Sequence, residues 1–248
     1  MSVSSTEFNC GNGLKFDGVN DYVQATTPNL LFPINTAYSF SFICGIISGQ
    51  IVNSGLMIGN NTGLTNGIYI QNRYNFLQFS LTKTFSTNRL YVLSSQNLSS
   101  GVYHIVITKS NLYNLSAINF YINSVIQSKF AAYDNLTDLT FADNSLNLNG
   151  GSGIGYYNDR MYDLKVFNKE LTQAEVTELY NKQGQIVPAS AMSSLQLDYR
   201  FNNKSGTVLT DKSINGYNGT LVNYAAGTTT LGATNSWCDK YGNAITAY

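Results

Sequence analysis

Short runs in which apolar and polar residues alternate recur along most of the chain. Residues 38–47 alternate phenylalanine with serine before turning fully apolar, and residues 103–108 and 118–122 are equally short and rich in β-branched and aromatic side chains. A period of two is typical of a strand with one face on a core. Turn sequences such as the Asp-Gly pair at 17–18 separate the runs. Ten or so short strands at this spacing predict a β-sandwich of two antiparallel sheets.

One stretch departs from the period of two and predicts a short helix. Thr172 precedes Glu175 by three residues, the spacing of a capping box, in which hydroxyl and carboxylate each accept a hydrogen bond from a free backbone N–H. Apolar residues at 171, 176, 179 and 180 fall at helical spacing. Directly before them, residues 161–167 alternate like a strand. The sequence therefore predicts a strand that leads into a single helix near the end of the main domain.

The composition fits a globular domain and excludes two classes of partner. Of the 248 residues, 43% are apolar and 13% aromatic, which is enough to bury a sizeable core. Only 11% are charged, and 14 basic residues balance 14 acidic ones, so the clustered positive charge that binds nucleic acid is missing. No apolar run is long enough to cross a bilayer, and no basic amphipathic run points to a membrane surface. We therefore expect no nucleic acid partner and no membrane insertion.

Catalytic motifs are missing from the sequence. His104 is the only histidine and lies within an apolar strand pattern, which favours a structural role over that of a base. A single histidine excludes a histidine-rich metal site and leaves a Ser-His-Asp triad without an obvious assembly. The three cysteines, at positions 10, 44 and 238, form no Cys-x-x-Cys motif. We therefore expect a protein that is not an enzyme.

Three stretches carry motifs, in order along the chain. They are FDGVNDYV at 16–23, YHIVITKS at 103–110 followed by INFYINSVIQSK at 118–129, and DRMYDLKVFNKELTQAEVTELYN at 159–181. Together they resemble the laminin-G-like domains of the concanavalin A-like lectin/glucanase superfamily. The resemblance implies a jelly-roll sandwich whose members most often bind glycans or partner proteins. The E-x-D-x-x-E strand that carries the catalytic carboxylates of the glucanase relatives does not occur here.

The same resemblance implies Ca2+ as a cofactor, held by Asp17, Asn20, Asp21 and Asp163. Carboxylate and amide oxygens, completed by backbone carbonyls, are the ligands that calcium prefers. The closing strand departs from the family pattern, because Met-Tyr-Asp at 161–163 stands where Ile-Asp-Glu is usual, and one acid is lost. The alternative is that Asp17 and Asp21 merely close a tight turn through backbone N–H groups.

The C-terminal part of the chain indicates an unusual order of strands. Residues 195–223 are similar to the opening strand of the same family, which in other members precedes the FDGxxDYV motif. We assign residues 1–184 to the sandwich, 185–194 to a linker and 195–248 to a C-terminal β segment. This segment either completes the sheets of its own chain, as in a circular permutation, or pairs with a neighbouring subunit, or forms a small appendage.

The loop before the closing strand holds the residues best suited to bind a sugar. Aromatic rings stack on sugar faces, while amide and carboxylate groups bond the hydroxyls. The alternative is a tyrosine-rich loop that packs on its own sandwich. The candidates in the loop are Tyr156, Tyr157, Asn158, Asp159 and Arg160, with Tyr74 and Trp237 outside it.

These observations predict a non-catalytic, lectin-like surface protein. Low charge, an abundance of Asn, Ser, Thr, Gly and Tyr, and a start that lacks a secretory signal look like bacteriophage virion proteins such as fibres, tail proteins and capsid decorations. We expect a homo-oligomer at the virion surface (otherwise outside the cell by a signal-independent route) that contacts other virion proteins and a glycan or host-surface polysaccharide. The alternatives are a structural virion protein that binds no glycan, and a cellular carbohydrate-binding or adhesion module.

Overall fold

The computed structural model describes residues 13–27, 36–46, 58–59, 67–73, 75–84, 88–112, 114–137, 145–148, 157, 159–201, 207–223 and 237–238. Within these ranges the chain forms seventeen β-strands, one α-helix and two short 3-10 helices. None of the helices there has the length and apolar character needed to cross a membrane.

The first layer of the fold is an eight-stranded antiparallel sheet. Its strands are β1 (Gly13–Lys15), β3 (Tyr38–Ile46), β8 (Gly101–Lys109), β9 (Ile118–Ile122), β10 (Val125–Ile126), β13 (Arg160–Phe167), β14 (Leu195–Tyr199) and β17 (Trp237–Cys238). They follow the order β10-β9-β8-β3-β13-β1-β17, and β14 pairs with the second half of β13.

The second layer consists of two smaller antiparallel sheets. One contains β2 (Tyr22–Thr26), β4 (Ile58–Gly59), β12 (Ser145–Leu148), β15 (Val208–Leu209) and β16 (Gly219–Val222), in the order β15-β16-β2-β12-β4. The other contains β5 (Gly67–Arg73), β6 (Phe76–Thr84), β7 (Asn88–Asn97) and β11 (Lys129–Asp134), in the order β11-β7-β6-β5. Because β4 lies beside β5, the two sheets continue each other.

Side chains from the two layers meet in one apolar core. Phe40 and Phe42 of β3 and Ile105 of β8 belong to a single cluster of buried residues with Phe79 of β6 and Val92 of β7. Burial of each such side chain contributes about 1.5–3 kcal/mol. The sequence prediction of an antiparallel β-sandwich with one short helix is confirmed. Alternation along each strand selects the side chains that face the core.

The helix, α1 (Gln173–Asn181), begins at the predicted capping box. The Glu175 N–H donates to Thr172 Oγ1 at 3.3 Å, and the Thr172 N–H donates to Glu175 Oε2 at 2.9 Å. Burial alone would raise the pKa of Glu175. Hydrogen bonds from Lys169, Thr172 and Ser190 favour the carboxylate and hold this pKa at about 2. The helix packs Val176 on the outer face of the eight-stranded sheet, so this face is covered as well.

The described strands of the C-terminal segment, β14 to β17, lie in the sheets of their own chain. Tyr199 of β14 is opposite Leu164 of β13, and Leu221 of β16 is opposite Val23 of β2. Residues 185–194, predicted to be a linker, instead contain a packed 3-10 helix (Ala189–Ser194). The physical reason is that apolar residues of this stretch are buried in the cluster beneath α1, namely Val187 and Ala191.

Candidate functional site

The carboxylates of Asp17 and Asp21 close the turn between β1 and β2. Asp17 Oδ1 accepts hydrogen bonds from the backbone N–H groups of Val19 at 2.7 Å and Asn20 at 3.2 Å. Asp21 Oδ2 accepts the Asp17 N–H at 3.0 Å. Burial, followed by the negative charge of Asp17, raises the pKa of Asp21 to about 7. These contacts are those of a tight turn built on aspartate side chains.

Asp163 lies elsewhere, on β13 next to Gly184, which follows α1, and belongs to a buried group of charges. Its carboxylate bonds the ammonium of Lys165, which also lies 3.0 Å from Asp198 Oδ1. Asp198 Oδ2 in turn accepts from Arg200 Nε at 2.9 Å and Nη2 at 2.8 Å. Burial raises the pKa of Asp163 to about 7, although the charge of Lys165 opposes the shift.

The predicted calcium ligands therefore do not fit one shared site. Asp163 is bonded to Lys165, while Asp17 and Asp21 satisfy backbone N–H groups of their own turn, including that of Asn20. Among the described residues, no group of three or more His, Cys, Asp and Glu side chains is arranged to hold a metal ion. Calcium binding stays a prediction, without an assembled ligand set to support it.

The loop before β13 contributes a core residue rather than an exposed aromatic. Tyr157 is 3% exposed, and its hydroxyl lies within hydrogen-bonding distance of the Gly45 carbonyl (2.5 Å) and the Arg160 carbonyl (2.9 Å). Its ring packs edge-on against Phe16 at 5.7 Å between centroids. In this structure Tyr157 is not available to stack on a sugar, because its ring is buried in the apolar core.

The remaining predicted sugar-binding residues are only partly placed. Asp159 is half-buried, and its Oδ1 accepts the Arg160 N–H at 2.8 Å. The guanidinium Nη1 of Arg160 lies 3.9 Å from the same oxygen. Of Trp237 the structure describes only the backbone, which pairs with Leu14 at the sheet edge. Three further candidates, Tyr156, Asn158 and Tyr74, lie outside the described residues.

His104 is a buried, neutral residue on the face of the eight-stranded sheet that α1 covers. Its Nε2 lies 2.9 Å from Ser41 Oγ, and its ring stacks on Tyr180 at 6.1 Å between centroids. Burial, assisted by the positive charge of Lys165, lowers the pKa of His104 to about 3. A buried, uncharged imidazole between a sheet and a helix is suited to packing.

A different surface combines exposed aromatic and buried polar side chains on one sheet face. On β5, β6 and β7 the residues that alternate with Ile70, Phe79 and Val92 turn away from the core. Tyr69 and Tyr91, although buried, belong to none of the apolar clusters. We call this surface the polar face and define it by Tyr69, Gln71, Gln78, Ser80, Arg89, Tyr91, Leu93, Phe130 and Tyr133.

Strand register arranges the polar face in rows. One row crosses the sheet from Phe130 on β11 through Leu93 on β7 and Gln78 on β6 to Gln71 on β5. Its amides form a chain, in which Gln71 Nε2 donates to Gln78 Oε1 at 2.5 Å and Gln78 Nε2 donates to Ser80 Oγ at 2.7 Å. Gln71 Oε1 is buried and has no hydrogen-bond partner within the described part of the chain.

The second row carries the aromatic side chains. It runs from Tyr133 on β11 through Tyr91 and Ser80 to Tyr69 on β5. The rings of Tyr91 and Tyr133 are stacked, 6.1 Å between centroids and 13° between planes. The guanidinium carbon of Arg89 lies 3.4 Å from the centre of the Tyr133 ring, so a cation–π contact fixes this ring.

Sequence reasoning missed the polar face, although one signal was present. Gln78, Ser80 and Thr82 alternate with apolar residues along β6, as polar residues do on the solvent side of any half-buried strand. Their burial distinguishes them from ordinary surface positions. Burial depends on contacts with parts of the chain that are distant in the sequence, and alternation does not reveal these contacts. The contribution of Phe130 comes from a separate part of the chain and depends on its pairing with Leu93.

Comparison with known proteins supports the fold. No protein-family model and no curated protein sequence matches the chain. A candidate carbohydrate-binding protein from Bacteroides ovatus matches with a TM-score of 0.60 and 14% identity, over 88% of this chain and 59% of that one. The binding domain of botulinum neurotoxin serotype C1 matches with a TM-score of 0.48 and 16% identity, over 68% of this chain and 46% of that one. A pentraxin from Limulus polyphemus matches with a TM-score of 0.44 and 12% identity, over 68% of this chain and 82% of that one.

The chain spans only about three fifths of the length of the Bacteroides ovatus protein, and the low identity restricts the comparison to architecture. Two antiparallel layers around one core, with a short helix on the outer face, define a concanavalin A-like jelly-roll sandwich.

Proposed function

We propose that this protein is a non-catalytic, lectin-like glycan-binding protein and that the polar face carries the binding site. The observation on which this depends is the presence, on one sheet face, of exposed aromatic rings beside buried amides. Phe130, which is 44% exposed, offers apolar surface for a sugar ring, and its row continues through Leu93 to the amides of Gln78 and Gln71.

The similarity to the Bacteroides ovatus protein is consistent with this proposal but does not replace the argument from the site. The two chains share a fold at 14% identity, and folds of this kind host many functions. The proposal therefore depends on the side chains of this chain.

The non-catalytic part of the proposal is supported by the positions of the titratable groups. His104 and Asp163 have shifted pKa values, yet both are buried between the eight-stranded sheet and its covering segment. The nine side chains of the polar face include no carboxylate, whereas glycoside hydrolysis ordinarily uses a pair of them.

Binding to a glycan array and to bacterial surface polysaccharides tests the proposal. The wild-type chain, Phe130→Ala and Ile214→Ala are compared, the last as a control because Ile214 is 97% exposed on a turn outside the polar face. We expect at least a roughly tenfold loss of affinity for Phe130→Ala and none for Ile214→Ala. No binding to any glycan by a folded wild-type chain overturns the proposal. Repeating the array in EDTA tests calcium, since loss of binding there indicates a metal-assisted site.

The proposed setting is the surface of a bacteriophage particle. It is supported by the low charge and by the abundance of Asn, Ser, Thr, Gly and Tyr. Mass spectrometry of purified particles and of the soluble fraction of infected cells tests this location. A structural virion protein would be incorporated but bind no glycan, whereas a cellular adhesion module would bind glycans and be missing from particles.

A further inference from the structure

An amine, an amide and a carboxylate meet beside one edge of the eight-stranded sheet. Lys129 is the first residue of β11, Asn119 lies on β9, and Glu170 lies between β13 and α1. The Lys129 ammonium donates to Asn119 Oδ1 at 3.0 Å, and Asn119 Nδ2 lies 3.5 Å from Glu170 Oε1, at the outer limit of a hydrogen bond. The amide of Asn119 therefore has an amine at its oxygen and a carboxylate at its nitrogen.

The end of β10 explains why the lysine reaches this place. β10 pairs with β9 at only two positions, and the Gln127 N–H that follows it donates to the Phe120 carbonyl at 2.8 Å. Further along the same edge, the Lys129 ammonium donates to the Ile118 carbonyl. The backbone of Lys129 instead pairs with Ser94 of β7 in the other layer. The side chain of Lys129 therefore connects the two layers of the sandwich.

The amine is close enough to the amide carbon to react with it. Asn119 Cγ is bonded to Oδ1 at about 1.2 Å, so Lys129 Nζ lies at most about 4.2 Å from this carbon. Reacting groups in a productive geometry are roughly 3–3.5 Å apart, which a small side-chain rotation achieves here. Burial lowers the pKa of Lys129, although the negative charge of Glu170 opposes the shift, and a lower pKa increases the share of neutral, nucleophilic amine.

We propose that Lys129 and Asn119 form an isopeptide bond once the chain has folded, and that Glu170 transfers the proton. The neutral amine Nζ forms a bond to Asn119 Cγ, the bond between Cγ and Nδ2 breaks, and Nδ2 leaves as ammonia. Glu170 accepts the proton that Nζ releases and delivers it to Nδ2. An amine and a primary amide give a secondary amide and ammonia, so the reaction needs neither an oxidant nor a co-reactant. Nζ keeps one hydrogen for the Ile118 carbonyl.

Such a bond fixes the strand that carries the exposed aromatic side chains of the polar face. It closes a ring over residues 119–129 and attaches the start of β11 to β9. Among the described strands β11 is the free edge of its sheet, and Phe130 follows Lys129 directly. The cross-link holds this edge in place without contributing a contact to a ligand. It is independent of glycan binding, and its test is separate from that of the proposed function.

The mass of the unfolded wild-type protein tests for the bond. We expect a mass below that of the sequence by about 17 Da, the mass of ammonia. Trypsin cleaves after unmodified lysine and arginine, so the bond should replace the peptides 110–129 and 130–160 by a single peptide, 110–160. A purified, folded chain that still has its full mass after several days at neutral pH overturns the proposal.

The peptide map also distinguishes the bond from another loss of ammonia. An asparagine can close a succinimide on the next backbone nitrogen, most readily before glycine, and an Asn-Gly pair lies at 149–150 in the same peptide. A succinimide is opened by hydroxylamine and leaves trypsin free to cleave after Lys129. The isopeptide bond resists hydroxylamine and blocks this cleavage. Loss of ammonia with normal cleavage after Lys129 therefore overturns the proposal.

Substitutions assign the three roles. Lys129→Arg keeps the positive charge without the nucleophilic amine, and Asn119→Ala removes the amide, so both variants should keep their full mass. Glu170→Gln keeps an acceptor oxygen but does not transfer a proton, and it should slow formation of the bond at least about tenfold. Lys182→Arg, at an exposed position, is the matched control and should form the bond as wild type does.

The variants are compared by intact mass over time after refolding. A loss of about 17 Da that persists in Lys129→Arg or Asn119→Ala overturns the proposed bond. Formation at the wild-type rate in Glu170→Gln overturns the role of Glu170. If a variant does not fold, the mass and the peptide map of the wild-type chain still decide.

Discussion

The ammonium group of Lys165 lies 3.0 Å from the carboxylate of Asp198, and both side chains are almost completely buried. The pair joins β13, which closes the family-like part of the chain, to β14, the first strand of the C-terminal segment. Lys165 also bonds Asp163, so its positive charge is compensated by two buried carboxylates. The attachment of the C-terminal segment thus involves ionic contacts in addition to backbone pairing.

Removal of this lysine should destabilise the protein strongly. We expect Lys165→Met to lower the free energy of unfolding by about 3–5 kcal/mol, because two buried carboxylates lose their partner. Lys169→Met is the matched control, since Lys169 is about one-third exposed in its pair with Glu175 and should cost about 1 kcal/mol or less. Urea denaturation of both variants measures the difference, and equal losses would contradict a special role for the buried pair.

Asp21 should make stability depend on pH. Its pKa of about 7 in the folded protein lies above the ordinary 3.8, so the folded state keeps a proton that the unfolded chain has released between these values. This contribution to stability is complete at low pH and is lost as the pH rises through about 7. The free energy of unfolding of Asp21→Asn, minus that of wild type, should therefore increase as the pH rises. The increase is at most about 1.4 kcal/mol per pH unit.

Urea titrations at fixed pH from about 4 to 8 measure this dependence. Asp17→Asn provides the comparison, because it removes the negative charge next to Asp21 and keeps the Asp21 carboxyl. It should lower the pKa of Asp21, so the stabilisation should be lost at a lower pH than in wild type. A difference between Asp21→Asn and wild type that does not vary with pH contradicts the assignment.

Gly45 should resist replacement because of Asp159. A Cβ atom at position 45 would lie 2.3 Å from Asp159 Oδ2, closer than nonbonded atoms approach. We expect Gly45→Ala to cost about 1–3 kcal/mol in thermal or urea unfolding, and Asp159→Ala to recover most of this loss in the double variant. Gly216→Ala is the control, since its strain arises from a φ of +65° in open space and should not be relieved by Asp159→Ala.

Tyr157 should influence stability and leave glycan binding unchanged. Tyr157→Phe leaves the buried Gly45 carbonyl without this hydroxyl, and we expect a loss of about 1–3 kcal/mol in unfolding free energy. Because the ring is buried against Phe16, affinity on the glycan array should stay within about twofold of wild type. A large loss of affinity at unchanged stability would instead return the sugar site to this loop.

Local patterns predicted the architecture because they depend on neighbouring residues in the sequence. The Thr172–Glu175 capping box and the alternation in β3 each specify an element without reference to distant parts of the chain. The candidate site needed information of another kind. Whether Tyr157 is exposed depends on its contacts with Phe16 and with the Gly45 carbonyl, which are distant in the sequence. Whether Phe130 lies beside Leu93 depends on strand register, which alternation does not specify.

The same distinction explains the calcium prediction. The FDGxxDYV motif indicated carboxylates close together in sequence, and the structure does place Asp17 and Asp21 in one turn. The third predicted carboxylate ligand, Asp163, had to come from a separate strand. Lys165 lies two residues away on the same face and forms an ion pair with Asp163, which gives this carboxylate a cationic partner other than a metal.

The pairing of β2 with β16 has a consequence for synthesis of the protein. Val23 lies opposite Leu221, so one side of an early strand has its neighbour only when nearly the whole chain has left the ribosome. Until then the nascent chain carries an unpaired strand edge, which is prone to associate with other chains. Contacts between such distant segments also slow folding, into the range of milliseconds to seconds typical of β-sandwiches. Efficient production is therefore expected to depend on keeping the emerging chain from aggregating until its last strands are made.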